Sequence, residues 1–325
     1  MALRTRLTER LGIVHPIVSA PMGFVGGGAL AAAVSAAGGL GLIGGGYGEA
    51  AWLDREFEAA GNQRIGCGFI TWSLAKHPEL LDRVLVHHPA ALMLSFGDPR
   101  PFAASIRESG AVLICQVQTI AHVREALEAG AGIIVAQGGE AGGHGARRGT
   151  LTLVPEVADL IARESPATLI LAAGGIADGR GLAAALMLGA DGVLMGTRFW
   201  ASRETLVHAN LQAAALGAGG DDTIRTTSID VVRGYDWPKP FDIRVMRNRF
   251  SERWQGREGE LADRLATEGP RYAGAGADGD AAETAVMVGE AVGLIHDVPS
   301  ARDIVEGVAG EAEALIREAG NRLIG

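Results

Sequence analysis

Cysteine is nearly absent from this chain. The two thiols, Cys67 and Cys115, stand in separate apolar runs, and neither belongs to a CxxC pair. No disulfide framework and no cysteine-based zinc site can be read from them, so no metal site is expected. Such usage suits a reducing compartment and a cytoplasmic protein. A surplus of positive charge is missing too: 29 Lys and Arg face 38 Asp and Glu, for a net charge of −9. General binding to nucleic acid or to an anionic membrane surface is therefore not expected. The opening residues, MALRTRLTERLG, carry charges where a secretory signal needs an apolar core. Long hydrophobic runs are scarce. Val25–Gly48 is uncharged for 24 residues, but ten of these are glycine and the run splits into a helix-like and a strand-like half. It reads as protein interior rather than a membrane span.

What the chain has in excess is glycine, 48 of 325 residues, roughly twice ordinary usage. No G-X-Y period is present, so the glycines serve turns and close approaches. With 48% hydrophobic and 21% charged residues, a large core is available and disorder is excluded. Short apolar runs predict eight strands, at Pro16–Ala20, Leu40–Ile43, Arg64–Ile70, Ala90–Phe96, Ala111–Val117, Gly132–Gln137, Thr168–Ala173 and Asp191–Met195. Helical stretches lie between them, among them Ala29–Ala37, Glu49–Ala60, Glu79–His87, Ile120–Ala129, Pro155–Arg163 and Gly181–Leu188. The joints SAAGGLGLI, RESGAVLIC, LEAGAGIIV and MLGADGVLM each end a helix on glycine and enter an apolar strand, as a left-handed helix cap would. Near-continuous apolar strands mark a parallel sheet covered on both faces. Eight units, mostly 20 to 26 residues apart, predict an α/β fold of the (β/α)8 barrel type. A doubly wound open sheet is the alternative that periodicity leaves standing.

One interval is longer. About 36 residues separate the sixth and seventh strand starts, because AGIIVAQGGEAGGHGARRG spills from a strand into a loop holding six glycines between Gly138 and Gly149. After a barrel strand, such a loop lies on the catalytic face. Its one histidine, His144, is a candidate proton-transfer group; Arg147 and Arg148 follow it as candidates for stabilising an anion. Past a Gly217–Asp222 linker, Arg225–Arg257 holds eight basic residues (Arg225, Arg233, Lys239, Arg244, Arg247, Arg249, Arg253, Arg257) against four acidic ones. They form either a solvated face or a clamp for an anionic ligand. Glu258–Ala266 reads as helix, Gly269–Gly279 as loop, and Ala281–Ile295 and Ala301–Arg322 as two last helices. The predicted organisation is a barrel over 1–217, a smaller, mainly helical cap over 218–280, and helices of about 281–325 packing back on the barrel.

Gly39-Leu-Gly41-Leu-Ile-Gly44 matches GxGxxG, but a helix precedes these glycines and a strand runs through them. A dinucleotide fingerprint needs the reverse order. The last two strand ends say more. Ala172-Ala173-Gly174-Gly175-Ile176 and Met195-Gly196-Thr197-Arg198 sit where barrels commonly hold a phosphate on backbone N–H groups. Ordinary tight turns are the plain alternative.

These residues together resemble a family. Ala20-Pro21-Met22 with AAAVSAAGGLG, then AQGGEAGGHG, AAGGIADGRG and LGADGVLMGTRF, in that order over roughly residues 15–205, resemble the nitronate monooxygenases, once called 2-nitropropane dioxygenases. WPKPFDIRVMRNRF extends the likeness into the cap. A flavin-containing enoyl-acyl-carrier-protein reductase shares most of these motifs. The resemblance implies an FMN-dependent barrel oxidising alkyl nitronates with molecular oxygen. His144 falls on the catalytic base. Gln137, Gly142, Gly175, Gly196 and Thr197 fall on FMN-contacting positions, with Gly143 and Gly174 beside them; Pro21 and Met22 lie next to the flavin ring. Two positions depart: Gly68 stands in the third strand where the family commonly has asparagine, at a cofactor-facing place, and Leu194-Met195 replace a glutamine before Gly-Thr. The rival enzyme reading keeps FMN and takes NAD(P)H as reductant, with a quinone or enoyl thioester as acceptor. A phosphate-site barrel that binds a ligand without redox turnover is the reading from another class. The expected partner is a small-molecule substrate, with neither nucleic acid nor membrane; a homo-oligomer is left open.

Overall fold

The computed structural model describes residues 3–323; the ends of the predicted barrel and of the last predicted segment, residues 1–2 and 324–325, lie outside the described residues. Its strands in chain order are β1 (Ile17–Ser19), β2 (Leu42–Gly46), β3 (Gly66–Ile70), β4 (Ala91–Ser95), β5 (Val112–Val117), β6 (Ile133–Gln137), β7 (Gly143–Gly145), β8 (Leu169–Ala173), β9 (Gly192–Met195), β10 (Thr223–Thr226) and β11 (Asp242–Met246). Eight of them form one parallel sheet in the order β1-β9-β8-β6-β5-β4-β3-β2. A bridge between Val18 and Leu40 brings the two edges together. The result is a nearly closed barrel with helices between its strands, and the open-sheet alternative falls.

Alternation along the strands builds two layers of core. In β4, Ala91 and Met93 face the barrel interior while Leu92 and Leu94 face the helices; in β6, Ile133 and Val135 point in and Ile134 and Ala136 point out. Such strands are buried on both faces, which is why they read as apolar runs. Leu7 and Leu11 of the helix Arg6–Leu11 join the interior cluster. The uncharged Val25–Gly48 stretch becomes the helix Gly28–Ala36 and β2. Its GxGxxG glycines are packing residues: a Cβ on Gly41 would stand 1.9 Å from the Ala31 carbonyl oxygen, and one on Gly44 2.2 Å from that of Met22. No helix among the described residues is long and apolar enough to cross a membrane. Both cysteines are buried and free, and burial pushes each thiol up to about 12, so neither is a ready nucleophile.

The chain beyond β9 differs in detail from the sequence reading. β7, β10 and β11 form a second, antiparallel sheet in the order β10-β11-β7, joining the His144 loop to the later segment. Gly269–Gly279, read as loop, lies almost wholly in the helix Leu265–Asp278, which ends on Gly279 at φ +67°. Ala281–Ile295, read as helix, holds only a short 3-10 turn at Glu290–Leu294. Val286 and Val288 there are fully buried, and the Val286 carbonyl accepts the Met246 N–H at 2.8 Å. The final helix, Ala301–Leu323, runs against the helix Gly179–Met187.

Candidate active site

The strand ends bring the expected residues to one place. Pro21 and Met22 follow β1, Gly68 lies in β3, Gln137 ends β6, Gly142, Gly143 and His144 lie in and beside β7, Gly174 and Gly175 follow β8, and Gly196 and Thr197 follow β9. All of them line a single cavity at the C-terminal end of the barrel, with about 1260 Å³ of atom-free space including its open mouth. Gly68 is required by packing: a Cβ there would stand 2.4 Å from the Pro21 ring. Gly174 and Gly175 turn the backbone at φ +99° and +75°, values that exact a penalty from any residue with a Cβ. Gly196 has an ordinary φ of −103°. A Cβ on it would meet only the Ala20 methyl, at 3.7 Å, so this backbone is open toward the cavity.

His144 is held from several sides. It pairs across the second sheet with Ile243. Gln137 donates from Nε2 to the His144 carbonyl at 3.0 Å, while its Oε1 accepts from Gln116 at 3.1 Å and Gln118 at 2.8 Å. The imidazole stacks on Trp237 at 3.4 Å between centroids and 8° between planes. Its Nε2 lies 2.8 Å from Oδ1 of Asp230, and the two side chains are only 9% and 4% exposed. A carboxylate accepts, so Nε2 carries the hydrogen and Nδ1 keeps the lone pair. Burial pulls the His144 pKa below its ordinary value; the hydrogen bond and charge of Asp230 oppose this, and Arg233 and Arg225 add to the lowering. The ring is thus a neutral base near pH 7. Among the described residues Asp230 Oδ2 is buried without a partner, and His144 is this carboxylate's one side-chain partner.

Five residues of the basic cluster resolve into structural pairs. Arg225 meets Asp242 at 2.5 Å and donates to the carbonyls of Gly139 and Gly145. Arg244 also reaches Gly139 and pairs with Glu290 at 2.9 Å. Arg249 and Arg253 share Glu283, and Arg257 takes Glu260. The clamp reading therefore fails for most of the cluster: of the eight, Arg233 alone lines the cavity. Among the described residues it has no carboxylate partner within ion-pair distance, and it lies over Tyr235 at 5.0 Å and Tyr47 at 5.9 Å. Those tyrosines stack at 3.9 Å, and Trp237 donates to the Tyr47 hydroxyl at 3.0 Å. Burial pushes the Tyr47 phenol up, keeping it neutral. Arg147 and Arg148 lie outside the cavity wall, paired with Asp242 and Glu156. Glu140 instead spends its carboxylate on the N-terminus of the helix Thr150–Glu164, accepting the Thr150 N–H at 2.9 Å.

Arg225 is a test of this account. Arg225→Met leaves Asp242 without its buried partner and the Gly145 carbonyl without its arginine donor, while Arg244 still holds Gly139, a loss of about 3–5 kcal/mol. Urea unfolding should show it as a lower midpoint; an unchanged midpoint would mean that the loop is held by something else.

Asp230, Tyr47 and Trp237 were not among the residues expected from sequence, and Arg233 was named there only as one member of the basic cluster. Asp230 lies 86 positions from His144, and no local spacing links them. Its one signal is an acid set among apolar neighbours in the short helix Ser228–Val232.

A parallel barrel with a buried base and glycine-rich strand ends over one cavity defines an enzyme of the barrel type. The nitronate monooxygenase family model matches residues 4–65 and 68–311, and the chain belongs to that family, whose members are oxidoreductases. It is 37% identical to a nitronate monooxygenase of Metarhizium robertsii, over 92% of this chain and 91% of the relative. It is 36% identical to an octahydro-indene-carboxyl-CoA dehydrogenase of Mycobacterium tuberculosis, over 71% of this chain and 65% of that one. Among solved structures it superposes on FabK from Thermotoga maritima with a TM-score of 0.86 and 31% identity, over 99% of this chain and 100% of that one.

Proposed function

We propose that this chain is an FMN-dependent oxidoreductase that oxidises alkyl nitronates with molecular oxygen. The observation that carries the reading is the neutral His144 imidazole, held by Asp230 in the same cavity as the glycine-rich ends of β8 and β9. Those ends fit a flavin phosphate: their backbone is turned by Gly174 and Gly175 and is open at Gly196, where a Cβ would meet only Ala20. Pro21 and Met22 line the same cavity and would help to hold the flavin there. Bound FMN supplies the electron acceptor and the reaction with oxygen. His144 Nδ1 takes the proton from the carbon next to the nitro group of a neutral nitroalkane. Asp230 keeps the proton on Nε2 and holds the ring. The aromatic wall of Tyr47, Phe96 and Trp237 excludes water from the proton transfer, and residues 218–280 act as the cap that carries Asp230, Arg233 and Trp237.

The second reading, NAD(P)H reducing FMN with a quinone or enoyl thioester as acceptor, is favoured by Arg233, a cation free for an anionic cofactor at the cavity wall. The carboxyl-CoA dehydrogenase relative points the same way. Anaerobic bleaching by NADH against bleaching by a nitronate separates the two.

The cofactor itself has a direct test. Purified protein should be yellow and release one flavin that chromatographs as FMN. Gly196→Val fills open space without a left-handed backbone penalty, a misfit of about 1–3 kcal/mol against the ligand and about ten- to a hundredfold in flavin affinity. The unfolding midpoint of the flavin-free form should stay near wild type. Full flavin occupancy in Gly196→Val would place the phosphate elsewhere, and colourless wild-type protein that takes up no added FMN would remove the flavin reading.

A further inference from the structure

A second cavity, with about 790 Å³ of atom-free space including its open mouth, lies beside the first, at the ends of β4 and β5. Phe96 and Gln116 belong to the walls of both. Phe96 is a partition held under constraint. Its φ is +65°, a conformation that a bulky side chain takes only when its surroundings demand it. On the catalytic side its ring stands 6.3 Å from His144 and 5.1 Å from Trp237; on the other it stands 5.0 Å from Phe241. The second cavity therefore begins one phenyl ring away from the base.

Its chemistry differs from that of the first. Trp72, Phe96, Phe241 and prolines supply apolar surface. The ionisable groups facing it are Asp98, Glu125, His122 and the buried Cys115 thiol, and neither Lys nor Arg lines it. Asp98 is already paired with Arg100 at 2.8 Å. A carboxylate or phosphate entering this space would meet Glu125 and the Arg100-paired Asp98; the nearby cations, Arg100 and Lys76 over the Trp72 ring at 4.7 Å, are not part of its wall, whereas Arg233 lines the first cavity.

We propose that this second chamber receives the uncharged hydrocarbon tail of the substrate, whose reacting carbon lies at His144. The substrate class is then a nitro compound or nitronate with an extended alkyl chain and no charge at its far end. The head group in this statement rests on the nitronate reading; the tail does not.

Two arms of one experiment separate them. In the binding arm, flavin-loaded protein is titrated with unreactive n-alkanols from butanol to octanol, read by tryptophan fluorescence with Trp72→Phe identifying the reporter. Affinity should rise about fourfold per added methylene, the worth of burying one such group. Ala126→Phe, which places a ring in the chamber wall, should abolish the rise. Should Ala126→Phe fail to fold, the exposed Glu125→Lys serves: it should tighten octanoate binding about threefold, as one partly exposed ion pair allows. In the turnover arm, nitronates of two to eight carbons should show kcat/KM climbing with length in wild type and flat in Ala126→Phe. Alkanol affinity independent of length, or a rise that survives in folded Ala126→Phe, overturns the proposal, as does octanoate binding unmoved by Glu125→Lys. If alkanols bind as stated and no nitronate is turned over, the chamber stands and the head-group reading falls. If nitronates turn over with no dependence on length, the chamber proposal falls alone.

Discussion

His144→Ala should cut turnover of a neutral nitroalkane by about 10²–10⁴-fold, the usual contribution of a positioned base, and should harm the matching preformed nitronate far less. The neutral substrate must lose a carbon-bound proton; the nitronate has already lost it. Flavin content should stay near wild type, because the strand ends proposed to hold the phosphate follow β8 and β9, whereas His144 sits in β7. The measurement is paired steady-state kinetics on the two substrate forms, with flavin quantified in each sample. The pH profile adds a sign. Burial lowers the His144 pKa below 6.5, and the base works only when neutral. The acid limb of kcat/KM for the neutral substrate should therefore fall below pH 6.5, lower than for a free imidazole. Equal losses on both substrate forms would make His144 a binding group. Reduction by NAD(P)H with no turnover of either form would hand the site to the reductase reading.

The barrel was legible because its strands are covered on both faces. Ile133-Ile134-Val135-Ala136 is apolar throughout since Ile133 and Val135 fill the interior and Ile134 and Ala136 meet helices. The cavity was legible for a related reason: glycines that follow apolar strands mark places where backbone turns sharply, and Gly174 and Gly175 do so at positive φ. What escaped depends on pairing between distant segments. Gly143–Gly145 has no strand propensity and becomes β7 only because β11 lies alongside it. Val286–Val288 is apolar but is kept out of a helix by burial and by its own contacts, the Val286 carbonyl accepting from Met246 at 2.8 Å and from Val288 at 3.0 Å. The helix Leu265–Asp278 was hidden by its glycines, whose poor propensity is outweighed by packing around the buried Tyr272. Asp230 belongs with these: its meaning comes from the second sheet and the segment carrying Trp237, which bring it to a histidine far away in the chain.

Asp230 is also where the second large effect is expected, and it separates a positioning residue from a structural one. Its carboxylate fixes the Nε2–H tautomer of His144 at 2.8 Å and, against burial, raises the ring's basicity. Asp230→Asn keeps the shape but offers an amide that can donate to Nε2, moving the ring proton to Nδ1, the atom that must accept. Turnover of a neutral nitroalkane should fall on the order of 10³-fold, since a wrong tautomer disables a base almost as fully as its removal. The residual acid limb should move to lower pH than in wild type, because the raising partner is gone while the burial remains. Preformed nitronate should again be spared, and flavin content unchanged. Asp230→Glu, which restores a carboxylate on a longer arm, should recover part of the loss on the neutral substrate. A purely structural Asp230 would behave otherwise: asparagine would then lower flavin content, unfolding midpoint and both activities together, leave the acid limb where it was, and gain nothing specific from glutamate.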